Sequence, residues 1–299
     1  IQRLDNFQLL TYLSENKINR VFLPNVTLNT LIEEALHEDW DLDALLEVTT
    51  AGELLKTNPI LKQFFSSHPN AHLKNAYGPT ETSVCVTEYV LSKSTDDWPD
   101  IPPIGLPLPG CQLLVLDGDM ATVKNGEIGE LYIAGVCLAT GYINRADLTE
   151  EKFVYWMNGE GEIIRMYKTG DLVLRDAAGL FHFKGRQDDQ IKIRGNRVEL
   201  GEVEYTLSNQ KGVQQAVVKL DTDDFGQRFL CAYVKSSGFL DIPNLKKDLK
   251  RSLPEYMVPE IIVAVDDFKK TSSGKIDRNA LPIARQTRPD WSPPVQHPA

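Results

Sequence analysis

Residues 185–204 read GRQDDQIKIRGNRVELGEVE. After a glycine and two adjacent aspartates, Gln190, Ile191, Lys192 and Ile193 alternate polar and apolar toward Gly195-Asn196. Alternation around such a pair predicts a small hairpin over 191–197. Past Glu199 the period lengthens: Leu200, Val203 and Leu207 predict one face of a helix. Arg186, Lys192, Arg194 and Arg197 interleave with Asp188, Asp189, Glu199 and Glu202. One reading is a salt-bridged exposed hairpin, worth little energetically. A nucleic-acid patch fails, because the acids cancel the bases and no aromatic residue interleaves. The charge balance also breaks here. Residues 1–188 carry 15 basic and 27 acidic side chains, and residues 189–285 carry 16 and 14. Either two different surfaces meet near residue 188, or acidic solvated helices cluster early.

Outward from that point, 299 residues suggest two domains at about 150 residues each. With 42% hydrophobic and 25% charged residues, the chain has enough apolar material for real cores. A net charge of -10 argues against non-specific nucleic-acid binding and against an anionic membrane surface. No stretch approaches the roughly 20 apolar residues of a membrane helix. The opening IQRLDNFQLL lacks the order of a secretory signal and an initiator Met, so it reads as an internal start of a cytoplasmic protein. Cys85, Cys111, Cys137 and Cys231 form no CxxC pair, which argues against a disulfide framework or zinc knuckle.

The first fifty residues read as alternating α and β: helix over 8–15, buried strand over 20–23, helix over 27–37 opened by Thr27, strand over 45–50. From Tyr77 the pattern is β-rich, with strands expected over 84–91, 111–116, 129–135 and 171–175, the last turning into 180–183. After Glu199 it becomes compact α+β. Strands are expected over 216–220, 229–235 and 261–265, and Leu245, Leu249 and Leu253 line a second helix before Pro254. Residues 286–299 are proline-rich and read as linker.

Four segments could carry chemistry. NAYGPTET (75–82) presents an aromatic ring, a hydroxyl and a carboxylate on a Gly-Pro turn, suited to a base, a phosphate and Mg²⁺, or it is an ordinary strand-entry turn. YKTGD (167–171) places Asp171 after a glycine, where it suits a ribose diol or simply caps a turn. The third is the stretch quoted first. The fourth, TSSGKIDR (271–278), delivers Lys275 on a small-residue loop, as an anion partner or as a surface lysine.

Together and in order, NAYGPTE, GELYIAG with GYINRADLT, YKTGD, GRQDDQIKIRGNRVELGEVE, LPEYMVP and SSGKIDR resemble the adenylation domain of nonribosomal peptide synthetases, over about residues 1–285. That family lies within the adenylate-forming, AMP-binding superfamily. The resemblance implies an α/β fold: the remnant of a large N-terminal subdomain over 1–187, then a small α+β subdomain over 188–285 with its hinge at Asp188. It implies activation of an amino acid with ATP and Mg²⁺ as an aminoacyl adenylate, then transfer to the phosphopantetheine thiol of a carrier protein. Tyr77 would stack on adenine, Thr80 would contact the α-phosphate and Glu81 would bind Mg²⁺. Asn75 and Gly78 belong to the same nucleotide-contacting segment. Asp171 would hold the ribose hydroxyls with Arg186 beside them. Lys275 would reach the substrate carboxylate and the phosphate, and Lys192 and Gly195 would face the thioester step. Phe22, Thr49, Ala51, Ala76, Val84 and Cys85 match pocket-lining positions, with Lys275 closing the set. Small residues at 51 and 76 imply a large substrate side chain, aromatic or long. The family's phosphate loop and the segment carrying its amine-binding Asp are expected before residue 1. Thr140, Val136 and Ser273 depart from the family's usual residues. The other readings are a non-catalytic binding module of this fold and an acyl- or aryl-acid ligase.

Overall fold

In the computed structural model, residues 5–38, 40–187, 190–193, 196–222, 228–236, 238, 240–270 and 276–282 are described. The chain divides into two compact units, Ile1–Asp188 and Asp189–Ala299.

The first unit begins with α1 (Asn6–Glu15), β1 (Arg20–Pro24), α2 (Asn25–Ala35), β2 (Glu47–Ala51), α3 (Pro59–Ser67) and β3 (His72–Tyr77). β1, β2 and β3 are parallel neighbours, and antiparallel β4 (Thr87–Val90) and β5 (Leu106–Pro107) extend the sheet. Strand side chains alternate between faces. Leu23, Val48 and Leu73 therefore share a face, and they pack with Leu10 and Leu13 of α1, Leu28, Leu31 and Ile32 of α2, and Leu61, Phe64 and Phe65 of α3. All three helices thus contribute to the core on one side of the sheet. Asp5 caps α1 by accepting from the Gln8 N–H, and Asn58 caps α3 through the Leu61 N–H at 2.7 Å.

A second, antiparallel sheet follows: β6 (Cys111–Leu116), β7 (Ile128–Gly135), α4 (Ala146–Lys152), β8 (Phe153–Met157), β9 (Ile163–Arg175) and β10 (Phe181–Arg186). Its order is β10-β9-β7-β6, with β8 paired to β9. Leu131, Ile133, Val173 and Phe181 pack with Tyr77, Val86 and Ile104, so the end of β3 is buried against this sheet.

In the second unit, β11 (Gln190–Ile193) and β12 (Asn196–Glu199) form a hairpin before α5 (Leu200–Ser208). β13 (Val213–Thr222), β14 (Arg228–Ser236), α6 (Ile242–Ser252) and β15 (Ile261–Val265) follow, with sheet order β13-β14-β15. Val203 and Leu207 of α5 meet Leu245 and Leu249 of α6 over Val218, Leu230, Ala232 and Val234. The alternate residues Val217, Phe229, Cys231 and Tyr233 pack on the opposite face.

The α/β fold agrees with the sequence reading, with local corrections. α2 starts at Asn25 after Pro24 and has no side-chain cap, so Thr27 lies inside the helix. The strand expected over 84–91 begins only at Thr87, because Ser83 and Val84 adopt left-handed φ of 64° and 73°. The strand at 171–175 is the end of a 13-residue strand. The elements α3, β3, α4, β5 and β8 had no counterpart in the sequence reading. The proline-rich stretch 286–299 lies outside the described residues.

Candidate functional site

Tyr77 is the last residue of β3, and the chain reverses through residues 78–86 to start β4. Gly78 makes this possible: a Cβ there would come within 2.6 Å of the Val84 carbonyl oxygen. The turn closes when the Val86 N–H donates to the Tyr77 carbonyl at 2.8 Å. Between them Thr80–Thr82 forms one 3₁₀ turn. A distant segment fixes that turn. The Ser83 hydroxyl donates to the Cys137 carbonyl at 2.9 Å, the Ala139 N–H donates to the Glu81 carbonyl at 2.9 Å, and the Tyr142 hydroxyl donates to Glu81 Oε1 at 2.6 Å. Arg165 holds the same segment through the Ala139 and Thr140 carbonyls at 2.9 and 2.8 Å, and lies over the Phe153 ring. Burial first, then the bond to Glu81, pushes the Tyr142 phenol far above its ordinary pKa. Tyr142 therefore stays a donor at neutral pH.

Asp171 sits on β9 opposite Arg186 of β10 in the strand register. The Tyr77 hydroxyl donates to one of its carboxylate oxygens and Arg186 to the other. Arg186 also donates to the Thr169 carbonyl at 3.1 Å. Gly170 takes a left-handed φ of 73°, and its N–H donates to Glu130 at 3.1 Å. The Thr169 hydroxyl accepts from the Asp171 N–H at 2.9 Å and donates to the Leu131 carbonyl at 2.7 Å. Tyr77 and Asp171 are both buried, and burial, then the Asp171 charge, raises the Tyr77 phenol well above its ordinary value. A buried carboxylate paired with a guanidinium and a phenol is held in one orientation.

Tyr77, Asp171 and Arg186 are thus brought together, and Thr80 and Glu81 occupy the turn that follows Tyr77. Thr80 is exposed and Glu81 is buried. Asn75 is buried, and its amide donates to the Pro103 carbonyl at 2.8 Å. Phe22, Thr49, Ala51 and Ala76 share the face of the first sheet opposite the helices, by strand alternation and register. Ala51 and Ala76 are buried there, whereas Phe22 and Val84 are exposed. The Cys85 thiol donates weakly to the Thr87 carbonyl at 3.6 Å. Lys192 lies on β11 opposite Arg197. Asp188, Gly195 and Lys275 lie outside the described residues. Sequence reasoning gave no role to Tyr142 or Thr169. Both stood inside quoted motifs, GYINRADLT and YKTGD, which was the available signal.

Among the described residues no group of three or more His, Cys, Asp or Glu side chains could hold a metal, and no helix is long and apolar enough to cross a membrane. One carboxylate at Glu81 nonetheless suits Mg²⁺, which takes one or two protein carboxylates and completes its shell with phosphate oxygens and water.

The model of the AMP-binding enzyme family matches residues 1–143, and that of the AMP-binding enzyme C-terminal domain matches residues 202–275. The chain is 43% identical over 235 residues to gramicidin S synthase 2 of Brevibacillus brevis, covering 79% of this chain and 5% of that protein. It is 36% identical over 291 residues to tyrocidine synthase 2 of Brevibacillus parabrevis, covering 96% of this chain and 8% of that one. The chain therefore spans a small part of the length of these relatives. A solved NRPS protein containing adenylation and PCP domains, bound to a vinylsulfonamide inhibitor, superposes with a TM-score of 0.77 at 29% identity, covering 92% of this chain and 46% of the other.

Proposed function

The chain belongs to the AMP-binding enzymes, among the adenylation domains of nonribosomal peptide synthetases, and from that premise we propose that it takes part in activating an amino acid with ATP. The amino-acid carboxylate attacks the α-phosphorus of ATP, the bond to the β-phosphate breaks, and pyrophosphate leaves. In the second step the thiol of a carrier-bound phosphopantetheine attacks the acyl carbon and AMP leaves. The likeness to a protein containing adenylation and PCP domains supports the carrier step.

The joining of Tyr77, Asp171 and Arg186 carries this reading, since Tyr77 and Asp171 lie 94 positions apart in the sequence. Each carboxylate oxygen can accept a second hydrogen bond, so Asp171 can hold ribose hydroxyls while Tyr77 and Arg186 keep it oriented. Adenine would stack on Tyr77, with Gly78 opening the turn and Asn75 two residues before Tyr77 in the same strand. Thr80, exposed on that turn, would donate to the α-phosphate. Glu81, held by Tyr142, would present the carboxylate for Mg²⁺, which when bound neutralises phosphate charge. Lys275 would stabilise the charge that develops on the α-phosphate during attack, so its contribution would be specific to the transition state. The proposal places the hinge at Asp188 between residues 1–187 and 188–285, and gives Lys192 and Gly195 to the thioester step.

The test is amino-acid-dependent exchange of labelled pyrophosphate into ATP, measured on the full-length protein that carries this chain. Wild type should exchange, and Lys275→Ala should lower the rate by about 100-fold or more, the size seen when one transition-state donor is removed. Unchanged exchange in Lys275→Ala removes the role given to Lys275. Absence of exchange with every amino acid, alongside binding of an adenylate analogue, would favour a binding module.

A further inference from the structure

The face of the first sheet away from the helices is charged. Along β1, β2, β3 and β4 the register sets its residues in rows: Arg20, Glu47 and His72; then Phe22, Thr49, Lys74 and Val90; then Pro24 with Ala51, and Ala76 with Glu88. Lys74 lies in the middle row and reaches diagonally both ways. Its ammonium is 3.0 Å from Glu47 Oε2 and 3.5 Å from Glu88 Oε2. The side chains of Lys74, Glu47 and Glu88 are 21%, 26% and 39% exposed, so the group is partly withdrawn from water.

Its position among the pocket residues gives it meaning. Lys74 is the register partner of Thr49 and stands two residues before Ala76 on the same face. Glu88 is the register partner of Ala76. The Cys85 thiol is raised above its usual pKa by burial and next by the nearby Glu88 charge, so Cys85 also borders this group. Ligands of parallel sheets lie at the carboxyl ends of the strands. A substrate side chain that entered past Ala51 and Ala76 would run down the strands and end against Thr49, Lys74 and Glu88.

We infer that Glu47, Lys74 and Glu88 form the deep wall of the amino-acid pocket and select a long side chain that ends in a hydrogen-bond donor. The inference rests on the adenylation reading above and names the substrate class of that same site. Within this group two carboxylates against one ammonium leave one negative charge, and Arg20, the register partner of Glu47, lies in the row farthest from Ala51 and Ala76. An amine or guanidinium end is attracted to that negative charge, and an amide, phenol or indole N–H can donate to a carboxylate oxygen. A carboxylate end is repelled. A hydrocarbon end would strip water from the charges and return no bond, which is the basis on which a polar site rejects an apolar analogue.

The test is pyrophosphate exchange with matched pairs: lysine and norleucine, tyrosine and phenylalanine, glutamine and glutamate. It is run on the full-length protein and on its Glu88→Gln and Lys74→Met variants, with melting temperatures recorded to verify folding. The best substrate should be donor-ended and should exceed its partner by at least about 10-fold in kcat/KM. Glu88→Gln or Lys74→Met should change that ratio by about 5-fold or more. A best substrate ending in hydrocarbon or carboxylate, or glycine or alanine as best substrate, overturns the inference. So does a ratio unchanged in both folded variants. Failure of all amino acids to support exchange overturns the adenylation reading itself, and is thereby distinct from failure of the selectivity alone.

Discussion

Leu73 and Lys74 are neighbours in β3, yet they belong to different problems. Leu73 is buried among the leucines and phenylalanines of three helices. Lys74 points the other way, into a group of charges bordered by Thr49 and Ala76. One face of the sheet is filled by this chain's own helices, and the other holds the candidate amino-acid pocket. The contrast teaches that adjacent positions of one strand can be read separately for stability and for selectivity, because alternation sends them to opposite sides. The largest effect should come from the filled face. Leu73→Ala should lower unfolding free energy by about 3 kcal/mol, as a cavity forms where helices and strand meet. Urea denaturation measures it, and a loss under about 1 kcal/mol would break the distinction between the faces.

Asn75 sharpens the comparison with a smaller effect. It lies on the same side as Leu73, but at the end of β3, where its amide donates to the Pro103 carbonyl. Asn75→Ala removes a buried hydrogen bond and leaves that carbonyl without this donor, so a cost of about 1–2 kcal/mol is expected by the same denaturation. If the cost matches that of Leu73→Ala, hydrogen bonding rather than apolar packing dominates this face.

The sequence made the filled face legible and the other face obscure, for a physical reason. Leu10 and Leu13 of α1, or Val21 and Leu23 of β1, announce themselves because a core needs apolar residues at a fixed period. The strand over 111–116 was read to the residue. α3 carried its signals too, with Asn58 and Pro59 at its start and Leu61, Phe64 and Phe65 on one side, but it is short and sits between loops. Val84 misled because a β-branched run looks like a strand. The left-handed conformations of Ser83 and Val84 accompany the bonds of Ser83 to Cys137 and of Glu81 to Ala139, far along the chain. The site motifs were readable one at a time. Their meeting was not, since Tyr77 and Asp171 join only through the packing of two sheets. Lys74 carried no local signal at all. A lone lysine in a strand reads as a solvated side chain, and only the register places it between Thr49, Ala76 and Glu88.

The smallest effect belongs to Lys74 itself. Its ion pairs are partly exposed, so Lys74→Met should change stability at pH 7.5 by only about 0.5 kcal/mol. The hydrogen bond to Glu47 is the main cause that lifts the ammonium pKa above its usual 10.5, against the opposing effect of burial, and the Glu88 charge adds to it. A raised folded value means that the folded chain holds this proton more tightly than the unfolded chain. The stabilisation is therefore full below 10.5 and is lost as pH climbs through the folded value. The gap in urea midpoint between wild type and Lys74→Met should stay constant from about pH 7 to 9 and shrink at strongly alkaline pH. A gap that instead widens on alkalinisation gives the linkage the wrong sign. A loss at pH 7.5 as large as that of Leu73→Ala would make Lys74 a structural residue, and the two faces of β3 would no longer divide stability from selectivity.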